Sequence, residues 1–315
     1  MSLRESGMLS RLRLPVIAAP MFLVSGIELV TAVCREGMVG AFPAANARTP
    51  ERLTEWLGTI VGSLEGHDAA PFAVNINLSA GRYRDVRGVI DSCRAAATPL
   101  MITSVGDPTE MVGIVHDWGG FVLHDVTTMR HAEKAAAARV DGIILVCAGA
   151  GGHSGSASAF SLLRAVRRFY DGVIILAGGI GDGYGVAAAR ALGADLVYMG
   201  TRFIAAQESM AADAYKQLVV ESQLSEIIYT RSISGVPANF MKTSIALAGL
   251  DPDALPELTA QGRPSLPPGK RAWKDIWSAG HAAALVDQVS STARIAQQLR
   301  EEYAEAVARL CVSQL

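Results

Sequence analysis

Apolar residues in this chain come in short unbroken runs rather than in alternation with polar ones. Eight such runs are legible: Val16-Ile-Ala-Ala-Pro-Met21, Met38-Val-Gly-Ala-Phe42, Phe72-Ala-Val-Asn-Ile-Asn77, Leu100-Met-Ile-Thr-Ser-Val105, Gly120-Phe-Val-Leu-His124, Gly142-Ile-Ile-Leu-Val-Cys-Ala148, Val173-Ile-Ile-Leu-Ala-Gly-Gly179 and Leu196-Val-Tyr-Met-Gly-Thr201. Continuous apolarity predicts strands covered on both faces, as parallel strands are. Helical patterns separate them: Glu28 to Arg35, Pro50 to Leu64, Arg84 to Ala97, Thr109 to Trp118, Met129 to Val140, Ala157 to Tyr170 and Gly185 to Leu192, with Ala205 to Ser222 reading as the eighth helix. Thr49-Pro50-Glu51 and Asp107-Pro108-Thr109-Glu110 look like helix starts, a capping side chain followed by proline at the first position. Eight strand–helix repeats in order predict a closed (β/α)8 TIM barrel rather than an open Rossmann sheet.

After the eighth helix the pattern changes. Residues 1–222 read as the barrel core and 223–281 as a lid or cover. Within the latter, Ile233 to Lys270 collects six prolines and is too long for a simple connection. Residues 282–315 read as a C-terminal helix packing on the barrel, the charged stretch from Ala283 to Leu310 supplying most of it.

Composition narrows the class. The 315 residues are 50% hydrophobic and 18% charged, with a net charge of −2. That balance, without a basic block, argues against nucleic acid as a partner. Met1-Ser-Leu-Arg-Glu-Ser-Gly7 has no apolar core of signal-peptide length, and no run approaches the roughly 18 residues a bilayer span needs. Cys34, Cys93, Cys147 and Cys311 are scattered, which suits reduced thiols in a cytoplasmic protein better than disulfides or zinc. Oligomeric state is left open.

In such a barrel the strand C-termini and the following loops form the active face. Gly178-Gly179 and Gly200-Thr201 end the seventh and eighth runs, where barrels bind phosphate through backbone N–H groups. The bland reading of a single pair is a tight turn; two pairs on adjacent strands favour phosphate. Gly181-Asp-Gly-Tyr-Gly185 lies too late in the chain to be a dinucleotide fingerprint. His153 sits in Gly149-Ala-Gly-Gly-His-Ser-Gly155, whose small residues leave an imidazole exposed to a ligand and able to transfer protons near neutrality. His124 has two readings, a hydrogen bond to a cofactor ring or simple packing at a strand end. His67, His116 and His131 fall on or near helices, where solvent or capping roles are expected, and His281 falls with the cover. Asn75 and Asn77 share a strand face, and two polar residues in an apolar strand point to a ligand. Ser154 and Ser156 lack a nucleophile elbow. The face has no metal-ligand cluster, and its donors suit an uncharged heteroaromatic ring with a phosphate tail.

Several of these motifs together resemble the nitronate monooxygenases, formerly 2-nitropropane dioxygenases. They are Ala19-Pro20-Met21, Ala150-Gly-Gly-His153-Ser-Gly155, Ala177-Gly-Gly-Ile180 with Asp182-Gly183, Met199-Gly-Thr-Arg-Phe203 and Ile276-Trp-Ser-Ala-Gly280. The wider family includes FMN-dependent enoyl-acyl-carrier-protein reductase and NADH:quinone reductases. The resemblance implies an FMN-binding TIM barrel, with the phosphate on Gly178, Gly179, Gly200 and Thr201. It implies ring contacts from Ala19, Pro20, Met21, Phe22, from Asn75 or Asn77, and from His124, Ala150 and Gly151. His153 is then the active-site histidine, and Ser278 lies on the substrate and lid side. In one departure, some members carry a lysine just after the fifth strand, where this chain has His124-Asp125. An aspartate there does not stabilise negative charge on the reduced flavin's N1–C2 region as a lysine does.

The activity this implies is oxidation of alkyl nitronates, and by extension nitroalkanes, with O2. The alternative keeps FMN and couples NAD(P)H oxidation to an enoyl thioester or quinone. A phosphosugar isomerase or lyase without flavin fits the glycines but lacks a carboxylate or lysine base. A non-catalytic binding role fits poorly with so many polar strand ends on one face.

Overall fold

The structure, a computed structural model, describes residues 2–79 and 85–312. Eight parallel strands close on themselves: β1 Val16–Ala18, β2 Val39–Pro43, β3 Phe72–Asn77, β4 Leu100–Ser104, β5 Phe121–Val126, β6 Gly142–Val146, β8 Val173–Ala177 and β9 Leu196–Met199. A two-residue strand, β7 Gly152–His153, lies outside the barrel between β6 and β8. Helices α1 Ile27–Arg35, α2 Pro50–Leu64, α3 Val86–Ala95, α4 Thr109–His116, α5 Met129–Ala137, α6 Ala159–Val166 and α7 Gly183–Leu192 form the surrounding shell. The eight runs of the sequence are therefore the eight staves of a TIM barrel. Of the helix reading from Arg84, the first residue lies outside the described residues.

Side-chain alternation divides every stave between two cores. Val74, Val122, Leu145, Leu176 and Val197 point outward into the layer packed against the helices. Ala73, Leu123, Ile144, Ile175 and Leu196 point inward and fill the lumen, with Leu3, Leu9 and Leu12 packed against them. Thr49 caps α2 by accepting from Arg52 N at 3.3 Å. At α4 proline precedes the first helical residue, and Asp107 Oδ1 instead accepts from Thr109 N at 2.9 Å.

Two helix expectations are corrected. Of the eighth helix expected over Ala205 to Ser222, α9 Asp213–Glu221 is helical and the part before it is not, while a separate turn, α8 Thr201–Ile204, precedes the span. The intervening chain is tied elsewhere, Gln207 N donating to Ser290 O and Met210 N to Val24 O. The final helix, α11, runs Thr292–Val312 and starts later than Ala283. Its start is set from a distance: the Glu208 carboxylate accepts from Thr292 N at 2.9 Å and from its hydroxyl at 2.8 Å. Helix α11 packs on α7, where a Cβ on Gly183 would collide with the backbone of Leu299 and Tyr303. The stretch expected as a cover contains β10 Ile227–Thr230, β11 Ala238–Met241 and α10 Lys242–Leu247. Strands β10, β11 and β7 form an antiparallel ribbon. No helix among the described residues is long and apolar enough to cross a membrane.

Candidate active site

Above the packed lumen, at the C-terminal ends of the staves, lies a cavity of about 1190 Å³. The two glycine turns meet on its rim because β8 and β9 are neighbours, Ala177 facing Tyr198 in register. Gly178 has φ of 126°, and a Cβ there would lie 2.6 Å from Ala148 O. Gly179 has φ of 69° and open space where a side chain would stand. Both conformations favour glycine, and together they leave bare backbone facing the cavity. Among the described residues, the N–H groups of Gly178, Gly200 and Thr201 meet no backbone or side-chain acceptor. The Gly179 N–H is partly engaged, donating to Gly149 O at 3.3 Å. The buried Thr201 hydroxyl accepts from Gly280 N at 2.9 Å, which leaves its own proton to donate.

His153 opens on the same cavity, but not from a bare loop as its glycine-rich surroundings suggested. It is a rung of the ribbon: Gly152 pairs with Asn239 and His153 with Ala238 on β11. The Trp273 ring meets the imidazole edge-on at 5.3 Å between centroids. Ser278 accepts from Gly152 N at 2.7 Å and donates to Asn239 O at 2.7 Å. Asn239 Nδ2 reaches Ala150 O at 2.7 Å, and Tyr229 donates to Ser154 O at 3.1 Å. Gly151 is packed close, since a Cβ on it would lie 2.9 Å from Gly280 N. Ser278 thus ties the histidine turn to the ribbon as well as lining the cavity.

On the opposite wall Asn75 and Asn77 face inward with Ala73, as their shared parity predicted. Asn75 Nδ2 donates to Ile102 O at 3.1 Å and lies 3.3 Å from Ser104 Oγ. Asn77 Oδ1 accepts from the N–H and hydroxyl of Ser79. Ala19, Pro20, Met21 and Phe22 line the rim beside β1, where Met21 N donates to Ser25 Oγ and Met21 O accepts from Asn46 Nδ2.

Strand β5 carries His124 on its outward face, opposite Thr103, with its Nδ1 2.8 Å from Thr103 Oγ1. His124 is buried and also lines the cavity. Burial holds its pKa down at about 4, partly offset by the Asp107 charge. Its neighbour Asp125 has the parity of Phe121 and Leu123 and faces inward, where burial pushes its carboxyl up to about 7. Tyr198 on β9, also inward, is raised well above its ordinary value by burial and by the nearby Asp125. Sequence reasoning passed over Tyr198, Asn239 and Trp273. The one local sign was the parity of Tyr198 with Leu196.

The family model described as Nitronate monooxygenase matches residues 6–302. A nitronate monooxygenase of Paraburkholderia phytofirmans is 27% identical, over 91% of this chain and 92% of that protein. A (3aS,4S,5R,7aS)-5-hydroxy-7a-methyl-1-oxo-octahydro-1H-indene-4-carboxyl-CoA dehydrogenase of Rhodococcus jostii is 29% identical over 73% of this chain, which spans 63% of that protein's length. In fold the chain is similar to FabK from Thermotoga maritima, with a TM-score of 0.79 at 24% identity over 99% of this chain and 98% of that one. With a match running along nearly all of its length, the chain belongs to the nitronate monooxygenase family.

Proposed function

We propose that the cavity holds FMN and that the enzyme oxidises alkyl nitronates with O2. One observation carries the reading: the Gly178-Gly179 and Gly200-Thr201 turns and His153 open on a single cavity. The open space over Gly179 and the unengaged N–H groups beside it fit a phosphate tail. Asn75, Asn77 and the Ala19–Phe22 rim would flank the ring, with Ala150 and Gly151 backing it. Bound FMN would supply the electron transfer and the oxygen chemistry. His153 would hold the negative nitro oxygens of a nitronate by hydrogen bonding, or remove the α-proton of a nitroalkane when neutral. The Ser278 and Asn239 bonds would keep that imidazole aimed. Segment 223–281 would serve as the cover that excludes water, on a core of 1–222 with 282–315 packed outside, in a cytoplasmic enzyme.

A second reading keeps the cofactor and has NAD(P)H deliver electrons to a larger acceptor such as an acyl thioester. The cavity volume favours it, since 1190 Å³ exceeds the roughly 300–1,000 Å³ of common ligand pockets, as does the CoA-linked activity of the Rhodococcus relative. Visible flavin bands in the purified protein are expected under both readings, and their absence after FMN addition excludes both. Anaerobic mixing separates them. Bleaching by a nitronate but not by NADH or NADPH supports the first reading, and rapid bleaching by a reduced nicotinamide supports the second.

A further inference from the structure

Two polar atoms in the lumen have no partner. Asp125 Oδ1 and the Tyr198 hydroxyl are excluded from solvent, make no hydrogen bond, and belong to residues that line the cavity. Both stand on inward-facing positions, Asp125 above Leu123 on β5 and Tyr198 above Leu196 on β9. Buried groups of this kind are normally satisfied, so an unpaired set facing a cavity implies a ligand that completes it. We propose that Asp125, as a neutral carboxylic acid, and Tyr198 donate hydrogen bonds to the acceptor edge of the cofactor's heteroaromatic ring, its carbonyl oxygen and unprotonated nitrogen, and that ionisation of Asp125 loosens this grip.

The inference rests on the FMN reading above and adds to it a donor pair and a proton linkage. Burial is the sole cause acting on Asp125, and it favours the protonated form up to about pH 7. The Tyr198 phenol, raised by burial and by Asp125, stays protonated throughout the ordinary range. A neutral carboxyl and a phenol therefore offer two O–H donors. Ile144 and Val146 on β6 bring no charge to the carboxyl, while the Asp125 charge bears on the Tyr198 phenol, and Asp107, His131, Lys134 and His153 also line the cavity. The His124 imidazole and the Asp107 carboxylate act on one another, and both line the same cavity. A ligand edge rich in acceptors satisfies the pair; one rich in donors does not.

The test is a binding titration of the full chain with FMN and, in parallel, riboflavin, followed by flavin fluorescence between pH 6 and 9. Riboflavin lacks the phosphate, whose own titration near pH 6 would otherwise be mixed in. Affinity for both is expected to fall above pH 7, approaching tenfold per pH unit as the competent fraction declines. Asp125→Asn, which keeps an N–H donor but cannot ionise, should flatten both curves. Tyr198→Phe should weaken both ligands about 3- to 10-fold at every pH while keeping the slope. Failure of the wild type to bind FMN at any pH overturns the FMN reading itself. FMN bound with a flat riboflavin curve, or with a slope that survives in Asp125→Asn, leaves that reading standing and overturns this inference. Should the Asn variant not fold, the wild-type riboflavin curve decides alone.

Discussion

His124 and Asp125 are consecutive on β5 and face opposite sides of the barrel wall, and burial drives each towards its uncharged form. The imidazole is held down at about 4 and the carboxyl up at about 7, so between those values the pair adds no charge to the strand. The two act on stability with opposite sign. Between about pH 4 and 6.5 the unfolded His124 binds a proton that the folded one does not, so its contribution is lost as pH falls through that window. Folded Asp125 keeps a proton that the unfolded chain releases above 3.8. Its contribution is complete below that value and is lost as pH rises through about 7.

Asp125→Asn is therefore expected to gain on the wild type as pH rises. The gap between 3.8 and about 7 corresponds to on the order of 4 kcal/mol, at about 1.36 kcal/mol per pH unit. Urea midpoints measured from pH 5 to 8.5 check this. A difference between the two proteins that does not change with pH would show that the carboxyl does not titrate in that range.

Replacing His153 with Asn separates binding from chemistry. The imidazole belongs to the ribbon side of the cavity and the glycine turns to the barrel side, so FMN affinity should be unchanged. Turnover should fall about 10²- to 10⁴-fold, the usual loss when an acid/base group is removed. Steady-state kinetics beside a flavin titration read both, and undiminished turnover removes the histidine from the mechanism.

The two glycines of the β8 turn should respond differently to alanine. At Gly178 the methyl runs into Ala148 O, so Gly178→Ala should unfold at a clearly lower temperature. At Gly179 the space is open and the penalty is the positive φ, about 1–2 kcal/mol. Gly179→Ala should accordingly fold yet bind FMN more weakly. Thermal melts with and without FMN discriminate, and equal flavin affinity in Gly179→Ala and the wild type would place the phosphate elsewhere.

Ser278→Ala removes one acceptor and one donor from the brace between β7 and β11, taking the hydroxyl bonds away from Gly152 N and Asn239 O. Each lost hydrogen bond is worth about 0.5–1.5 kcal/mol. Turnover should drop more than flavin affinity, because the brace orients His153 and does not touch the glycine turns. Amide exchange at Gly152 should be faster in the variant than in the wild type.

The barrel was legible because its evidence is local: each run names its own stave, and β3 was located to the residue. The phosphate turns were legible for the same reason, since a glycine pair ending a strand is a nearest-neighbour signal. What escaped depends on partners far away in sequence. Trp273 lies edge-on to His153 across 120 positions, Asn239 reaches Ala150 across 89, and Glu208 starts α11 across 84. The orientation of His124 and Asp125 was hidden for a subtler reason. The sequence was read as ending the strand at His124, whereas β5 continues to Val126 and its parity turns the aspartate, not the histidine, towards the lumen.

The short strand that carries His153 follows β6 through a glycine-rich turn and is the outermost rung of the ribbon. The pairing of β7 with β11 and the Ser278 bonds therefore set the place of the ribbon and the aim of the imidazole together.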